Sequence, residues 1–315
     1  MIPLDQIRAA AERLRGLAVR TPLVRLPLED APAEIYLKLE NLQPIGSFKI
    51  RGAGNALRSA SRESLARGVY TASAGNMAQG VAWVARELGV ACDVVVPDHA
   101  PGTKLEAITR LGGRWHKVTF DEWWRVFQEH RFPGMEGKFV HPVDDVDVQT
   151  GNGTIGLEIM EDLPDVDAVV VPFGGGGLIT GIGSAIKQLR PKARVYAAEV
   201  DTAAPLAASL AAGCASSIDY RASFIDGIGG KSVLPEMFAP VREVVDESIV
   251  VPLRAVADAV RLLVERARVV AEGAGAASVA AALTGRAGAG KVVCVVSGGN
   301  IDTGKLAAIL RGEIP

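Results

Sequence analysis

Residues 168–178 read AVVVPFGGGGL: a Val-rich run, four consecutive glycines and the start of a helical pattern. A continuous Val-rich run fits a parallel strand that is covered on both faces. Because glycine has no Cβ atom, the backbone of Gly174, Gly175, Gly176 and Gly177 can fold its N–H groups into a nest around an anion. A structural turn needs one or two glycines, so the segment predicts a phosphate-binding loop. A dinucleotide loop is the rival interpretation, but the spacing is not GxGxxG and no acidic residue is placed to bind a ribose.

The alternation of strand and helix continues over most of the chain. Further strands are predicted at 92–97, 194–199 and 292–297, and helices at 79–88, 178–189 and 253–270. Strands that alternate with helices imply crossover connections between parallel neighbours. The sequence therefore predicts an α/β fold with open, twisted parallel sheets and helices on both faces. The loop-rich stretch 131–150 is the candidate crossing between two lobes.

Composition narrows the class of protein. A length of 315 residues allows two domains around a large buried core. A net charge of −2 without a polybasic run argues against nucleic-acid binding. Three separated cysteines without a CxxC pair argue against a thiolate zinc site and suit a reducing cytoplasm. No apolar run reaches the length of a membrane span, and no signal peptide is expected at the N-terminus.

Three other short segments hold residues suited to chemistry. In SFKIRGA (47–53), the amine of Lys49 can form a Schiff base with an aldehyde if its pKa is lowered, although most lysines are simply solvated. In TASAGN (71–76), small residues run into a helix whose first N–H groups suit a carboxylate, and Asn76 could donate to a phenolate oxygen; a capped turn is the alternative. In SGGN, Ser297 follows a buried strand at the sheet edge where such folds bind ligands; an ordinary loop is the alternative.

After Arg20-Thr21-Pro22-Leu23, the chain carries SFKIRGA, TASAGN, the four glycines and SGGN in that order. In this combination the chain resembles the fold-type-II family of pyridoxal-phosphate enzymes, whose fold is that of the tryptophan synthase β chain. Within that family it is most similar to the branch of serine/threonine dehydratases (threonine ammonia-lyases) and serine racemases. The resemblance covers nearly the whole chain. The lysine segment combined with four glycines is highly specific, whereas each glycine loop alone is not.

The resemblance implies a cofactor, pyridoxal 5′-phosphate, and its contacts. Lys49 matches the family's Schiff-base lysine, which is freed during the reaction and then takes the α-proton of the substrate. The other implied cofactor contacts are Phe48 and Asn76 at the ring, Gly174, Gly175, Gly176 and Gly177 at the phosphate, and Ser297 at the pyridine nitrogen. The substrate carboxylate is expected at Ser73, Ala74, Gly75, Asn76 and Met77, through side chain and backbone.

Two positions bear on the reaction that the resemblance implies. Ser297 cannot hold the ring nitrogen protonated as an aspartate would, so the ring is a weaker electron sink and β-elimination is favoured. Ala74 stands where serine racemases carry a second base, and inversion needs acid–base groups on both faces of the α-carbon. The predicted reaction is dehydrative deamination of L-threonine, L-serine or a related, less common β-hydroxy amino acid to a 2-oxo acid and ammonia. Racemisation, β-replacement and a non-catalytic cofactor binder are the alternatives.

Two features depart from the pattern of this family. Met77 replaces a usual histidine after Gly-Asn. The resemblance therefore does not determine which substrate side chain the pocket accepts. Glu199 and Ala203 match two ligands of a divalent-cation site that some relatives carry. Pro205 stands in place of the third ligand, an aspartate, and cannot bind a cation through its side chain. No metal is therefore predicted.

The resemblance also implies an arrangement of domains. Residues 1–48 and 143–315 are expected to form a large cofactor-binding domain, and residues 49–142 a small mobile domain that closes over the substrate. The relatives are commonly homodimers or homotetramers, and we expect one of these states in the cytoplasm, with a small amino acid as the substrate. Biosynthetic threonine dehydratases carry a further regulatory domain, and none is expected here.

Overall fold

Ten strands form two sheets in the computed structural model, which describes every residue from Met1 to Pro315. The strands are β1 (Leu23–Arg25), β2 (Glu34–Lys38), β3 (Val69–Ala72), β4 (Cys92–Pro97), β5 (Arg114–Val118), β6 (Lys138–Phe139), β7 (Ala168–Pro172), β8 (Arg194–Val200), β9 (Glu247–Val251) and β10 (Lys291–Val295). One sheet has the order β1-β2-β10-β7-β8-β9, and the other has the order β5-β4-β3-β6. Only β1 and β2 are antiparallel neighbours. Every other pair is parallel.

Thirteen α-helices connect and cover these strands. They are α1 (Leu4–Leu14), α2 (Lys49–Arg58), α3 (Arg62–Leu65), α4 (Asn76–Leu88), α5 (Gly102–Arg110), α6 (Phe120–Glu129), α7 (Val146–Asp162), α8 (Gly177–Leu189), α9 (Pro205–Ala212), α10 (Pro235–Val244), α11 (Leu253–Leu262), α12 (Gly273–Leu283) and α13 (Thr303–Leu310). A 3-10 turn at Glu40–Leu42 and a π-helical turn at Leu263–Ala267 complete the regular structure. None of the helices combines the length and apolar character needed to cross a bilayer.

The predicted fold class is confirmed. All four strands expected from Val-rich runs are present, at β4, β7, β8 and β10. The helices expected at 79–88 and 178–189 are α4 and α8, each of which begins one to three residues earlier. The helix expected over 253–270 stops short. It widens into the π-helical turn and ends where Arg268 adopts a left-handed backbone conformation with φ of 59°.

The Val-rich strands are buried because both faces of the larger sheet are covered. In β7, Val170 packs into an apolar cluster on one face with Cys294, while Val169 and Val171 pack into a cluster on the other face with Phe173. Helix α12 contributes to the first cluster and α8 to the second. The smaller sheet has a separate apolar core, to which α2 and α4 contribute. Continuous apolar runs are what a parallel strand requires when helices cover both of its faces.

A buried cluster of charges holds the start of α2 against the larger sheet. Arg51 donates through Nη2 to Glu40 at 2.8 Å and through Nη1 to Glu158 on α7 at 2.6 Å. Lys38 at the end of β2 donates to the same Glu158 at 2.6 Å and to the carbonyl of Thr21 at 2.7 Å. Arg51, Glu40 and Lys38 are at most 2% exposed. Two cations are matched with two carboxylates, so no buried charge is left uncompensated.

Candidate active site

Lys49 is the first residue of α2 and lies at the junction of the two sheets. Its Nζ donates to the carbonyl oxygen of Pro142 at 2.8 Å, and the same atom lies 5.1 Å from the centroid of the Phe48 ring. No carboxylate pairs with the amine. Desolvation disfavours its charged form and lowers the pKa of Lys49 from 10.5 to about 8. The neutral, and hence nucleophilic, fraction of the amine near physiological pH is therefore far larger than in an ordinary lysine.

The segment before Lys49 is joined to the SGGN segment that follows β10. Ser47 and Gly298 form an isolated antiparallel bridge, and the N–H of Phe48 donates to the carbonyl of Ser297 at 3.0 Å. Ser297, which is 3% exposed, is thereby held next to the lysine. The hydroxyl of Ser47 is buried here without any hydrogen-bond partner. A buried, unpaired polar atom is uncommon in folded proteins and marks a place where a ligand can supply the missing partner.

The tetraglycine loop lies directly between β7 and α8. The N–H groups of Gly174, Gly175, Gly176 and Gly177 donate to no carbonyl of the chain. Gly176 has φ of 102°, a left-handed conformation that favours glycine. Unpaired N–H groups at the start of a helix, where the helix dipole is positive, form an anion site.

The loop is also close-packed against the neighbouring segment. A Cβ atom on Gly175 would lie 2.4 Å from Cγ2 of Val143, and one on Gly177 would lie 2.9 Å from the carbonyl oxygen of Val143. Val143 follows Pro142, the residue whose carbonyl accepts the hydrogen bond from Lys49. One short segment therefore contacts both the lysine and the loop.

Asn76 begins α4 and faces the same region from the side of the smaller sheet. Its Oδ1 accepts from Nδ2 of Asn300 at 2.8 Å, and Asn300 also donates to the carbonyl of Ile45 at 2.9 Å. Preceding Asn76, the N–H of Gly75 donates to the hydroxyl of Ser73 at 3.2 Å. The structure thus brings together Phe48, Lys49, Asn76, Ser297 and the segment from Ser73 to Gly75.

Ala74 and Met77 differ in their surroundings. Ala74 is half-buried beside the turn, whereas the side chain of Met77 is 2% exposed and packs into the apolar core of the smaller sheet with Ile50 and Val81. The backbone N–H of Met77 lies in the first turn of α4, where helix N–H groups have no partner within the helix. At this position the backbone, and not the thioether, is available to an anion.

Glu272 belongs to this site and is absent from the sequence-based set. It lies directly before α12, and its Oε1 accepts from Nδ2 of Asn76 at 2.8 Å. Desolvation, together with a smaller contribution from the charge of Asp226, raises the pKa of Glu272 to about 7. The sequence signal was slight: one glutamate before Gly-Ala-Gly-Ala, at 196 positions from Asn76.

Glu199 and Ala203 lie apart from these residues, at the end of β8. The carboxylate of Glu199 accepts from the N–H of Leu206 and of Ala207, each at 2.8 Å, and from the hydroxyl of Ser248 at 2.6 Å. It therefore binds the first turn of α9, whose unpaired N–H groups carry partial positive charge. Both oxygens of Glu199 thus have hydrogen-bond partners within the protein.

Comparison with known proteins agrees with this geometry. The family described as pyridoxal-phosphate dependent enzyme matches residues 14–298. The L-threonine ammonia-lyase of Thermotoga maritima is 44% identical over 317 residues, which cover 99% of this chain and 79% of that protein. The catabolic L-threonine dehydratase of Escherichia coli is 38% identical, with 98% of this chain and 96% of that protein covered. The solved structure of maize serine racemase superposes with a TM-score of 0.88 at 33% identity, over 98% and 96% of the two chains.

Proposed function

The chain belongs to the family of pyridoxal-phosphate-dependent enzymes, and from this premise we propose that it deaminates L-threonine, L-serine or a related β-hydroxy amino acid. The reaction removes water across the α- and β-carbons, and hydrolysis of the released enamine, in its imine form, by one water molecule yields a 2-oxo acid and ammonia. The proposal is carried by one observation. The desolvated amine of Lys49 and a glycine loop with four unpaired N–H groups contact adjacent residues, Pro142 and Val143. The relatives named as threonine ammonia-lyase or dehydratase, at 36–44% identity, support the substrate.

The residues present fit pyridoxal 5′-phosphate. The amine of Lys49 suits its aldehyde, the loop from Gly174 to Gly177 suits its phosphate, and the Ser297 hydroxyl suits the pyridine nitrogen. The orphaned hydroxyl of Ser47 and the unpaired N–H groups of the loop are what a bound polar molecule would satisfy. When bound, this cofactor withdraws electron density from the α-carbon of an amino acid joined to it.

The protein then has three tasks. The amine of Lys49, with its pKa near 8, takes the α-proton, because a base whose pKa lies close to the working pH is effective. The first N–H groups of α4, near Asn76 and Met77, hold the substrate carboxylate. Ser297 would face the pyridine nitrogen with a neutral hydroxyl in place of the negative partner that an aspartate would provide, and this would favour β-elimination.

Racemisation is the second candidate, and the similarity to maize serine racemase is the observation that favours it. Inversion requires a proton donor on the face of the α-carbon opposite to Lys49. Ala74, at the position where serine racemases carry the second base, has no proton to give, and Ser73 at the preceding position is assigned to the substrate carboxylate. These positions favour elimination.

We further propose that residues 1–48 and 143–315 form a large domain and that residues 49–142 form a small domain that closes over the substrate. The separate sheets and separate apolar cores support this division. We expect a homodimer or homotetramer in the cytoplasm, and the three unpaired cysteines support a reducing compartment. Sedimentation of the purified chain tests the oligomeric state.

The test of function is a panel of β-hydroxy amino acids, scored for ammonia and 2-oxo acid. We expect release of both from L-threonine or L-serine, and none with Lys49→Ala. A chiral assay of residual serine separates the second candidate, since substantial D-serine would show inversion. Absence of ammonia with every amino acid in the panel, from protein that binds the cofactor, would refute the deaminase proposal.

A further inference from the structure

Three separate segments of the chain converge on Glu272. Its backbone N–H donates to the carbonyl of Gly298 at 3.0 Å, so the residue is anchored to the SGGN segment. A Cβ atom on Gly298 would lie 2.5 Å from Oε1 of Glu272, and a Cβ atom on Gly227 would lie 3.7 Å from it. The third segment is the turn that begins α4, through Asn76. The side chain is only 8% exposed.

The amide of Asn76 is held at both ends. Nδ2 donates to Oε1 of Glu272 at 2.8 Å, while Oδ1 accepts from Nδ2 of Asn300 at 2.8 Å. A carboxylate can only accept, so it forces the nitrogen of Asn76, and not the oxygen, to face Glu272. Nδ2 carries two hydrogens, and Glu272 uses one of them. The second N–H is left to donate to another acceptor.

We propose that Glu272 is a positioning residue that fixes the amide of Asn76 so that its free N–H is presented to the ring hydroxyl of the bound cofactor. This inference rests on the proposed cofactor binding and names a residue outside the set that the sequence analysis predicted. A purely structural role explains the arrangement poorly. A buried carboxyl group without a directly bonded cation costs stability, and a glutamine would accept the same hydrogen bond without that cost.

The charges around Glu272 make its protonation sensitive to its surroundings. Desolvation and the neighbouring Asp226 raise its pKa to about 7, while the hydrogen bond from Asn76 and the charge of Lys104 on α5 lower it. Lys104 forms an ion pair with Asp226. When Glu272 is ionised, the bond from Asn76 is charge-assisted and stronger; when it is protonated, the bond weakens. The polarity at the cofactor hydroxyl should therefore change around pH 7.

Two variants of the cofactor-loaded protein test the proposal: Glu272→Gln, which keeps the acceptor and removes the titration, and Glu272→Ala, which removes both. Glu265→Gln, at an exposed i,i+4 pair, is the matched control. The readouts are the dissociation constant of pyridoxal 5′-phosphate and the visible absorption of the loaded protein between pH 5 and 9. We expect a spectral change with a midpoint near pH 7 in the wild type and the control, and none near pH 7 in Glu272→Gln.

The dissociation constants of the cofactor distinguish the positioning role of Glu272 from the effect of its charge. Glu272→Gln should bind the cofactor within about twofold of the wild type, and Glu272→Ala about tenfold more weakly, the value of one lost hydrogen bond. Removing the neighbouring cation with Lys104→Met should raise the spectral midpoint, and Asp226→Asn should lower it. A wild-type-like titration in Glu272→Gln would overturn the inference even if Glu272→Ala fails to fold. Failure of the wild type to take up the cofactor would overturn the proposed function as well.

Discussion

Gly175→Ala should damage the phosphate loop for a reason that can be measured in the structure. A Cβ atom at this position would lie 2.4, 2.7 and 3.1 Å from Cγ2, Cγ1 and Cβ of Val143. Atoms in folded proteins do not approach so closely, so either the loop or residue 143 must move. Residue 143 follows the carbonyl that binds Lys49, so it has little freedom to retreat. The loop, with its four unpaired N–H groups, is expected to shift.

Overpacking of this kind costs about 1–3 kcal/mol. If the loop relieves this strain by shifting in the apoprotein and must return to bind the phosphate, the cost falls on binding, and the affinity for pyridoxal 5′-phosphate falls by about 5- to 150-fold, since each 1.4 kcal/mol is tenfold. The assays are urea unfolding of the apoprotein and titration with the cofactor. Gly102→Ala is the matched control, because a Cβ atom there meets nothing within 4 Å and the backbone has no positive φ.

The double variant Gly175→Ala/Val143→Ala isolates the cause. It removes the two shortest contacts and leaves only the one at 3.1 Å, which a shift of a few tenths of an ångström relieves. Cofactor affinity should recover by at least half of the lost free energy. The reasoning is refuted if Gly175→Ala binds as tightly as Gly102→Ala, or if the double variant is no better than Gly175→Ala alone.

Three further predictions concern buried ionisable side chains. Arg51→Met leaves the buried carboxylate of Glu40 without a directly paired cation and Glu158 with Lys38 alone, and should cost about 3–5 kcal/mol in urea unfolding, whereas Arg67→Met, at an exposed pair, should change stability by less than about 0.5 kcal/mol. Because the pKa of Lys49 is lowered to about 8, the rate of cofactor uptake by the apoprotein, followed by absorbance, should rise with pH and level off above about pH 8. Burial lowers the pKa of His141 from 6.5 to about 3, so the unfolded chain binds a proton that the folded chain does not, and stability falls as pH drops from 6.5 to 3; His141→Asn should flatten that fall in the urea midpoint.

The sequence predicted the parts of the site that depend on local backbone. Four glycines after a Val-rich strand can do few other things, and the structure has the expected strand, loop and helix at 168–189. The same holds for Ser297, which was expected just after a buried strand and lies two residues beyond β10. Each of these predictions rests on a stretch of about ten residues, which is long enough to show a strand or helix pattern.

The features that the sequence did not predict depend on contacts between distant parts of the chain. Glu272 becomes distinctive only when α4 and α12 are brought together, because its raised pKa arises from burial and from Asp226. The residues next to Glu272 in the sequence indicate neither its burial nor the effect of the charge of Asp226. The charge cluster around Arg51 is similar: Arg51, Glu40 and Glu158 lie in three different elements, so the sequence shows charged residues but not their pairing.

The segment from His141 to Val143 shows how such a contact changes an interpretation. The sequence marked this region only as a crossing between lobes. In the structure Nδ1 of His141 accepts from the N–H of Val143 at 3.1 Å, and its Nε2 contacts the carbonyl of Phe127 at 3.1 Å. A neutral imidazole with Nε2 protonated satisfies both bonds, and the low pKa keeps it neutral. The histidine therefore fixes the turn that carries the carbonyl bound to Lys49 and the side chain packed on the glycine loop. A crossing that only joined two lobes would not need to be rigid, but one that sets the lysine against the phosphate loop does.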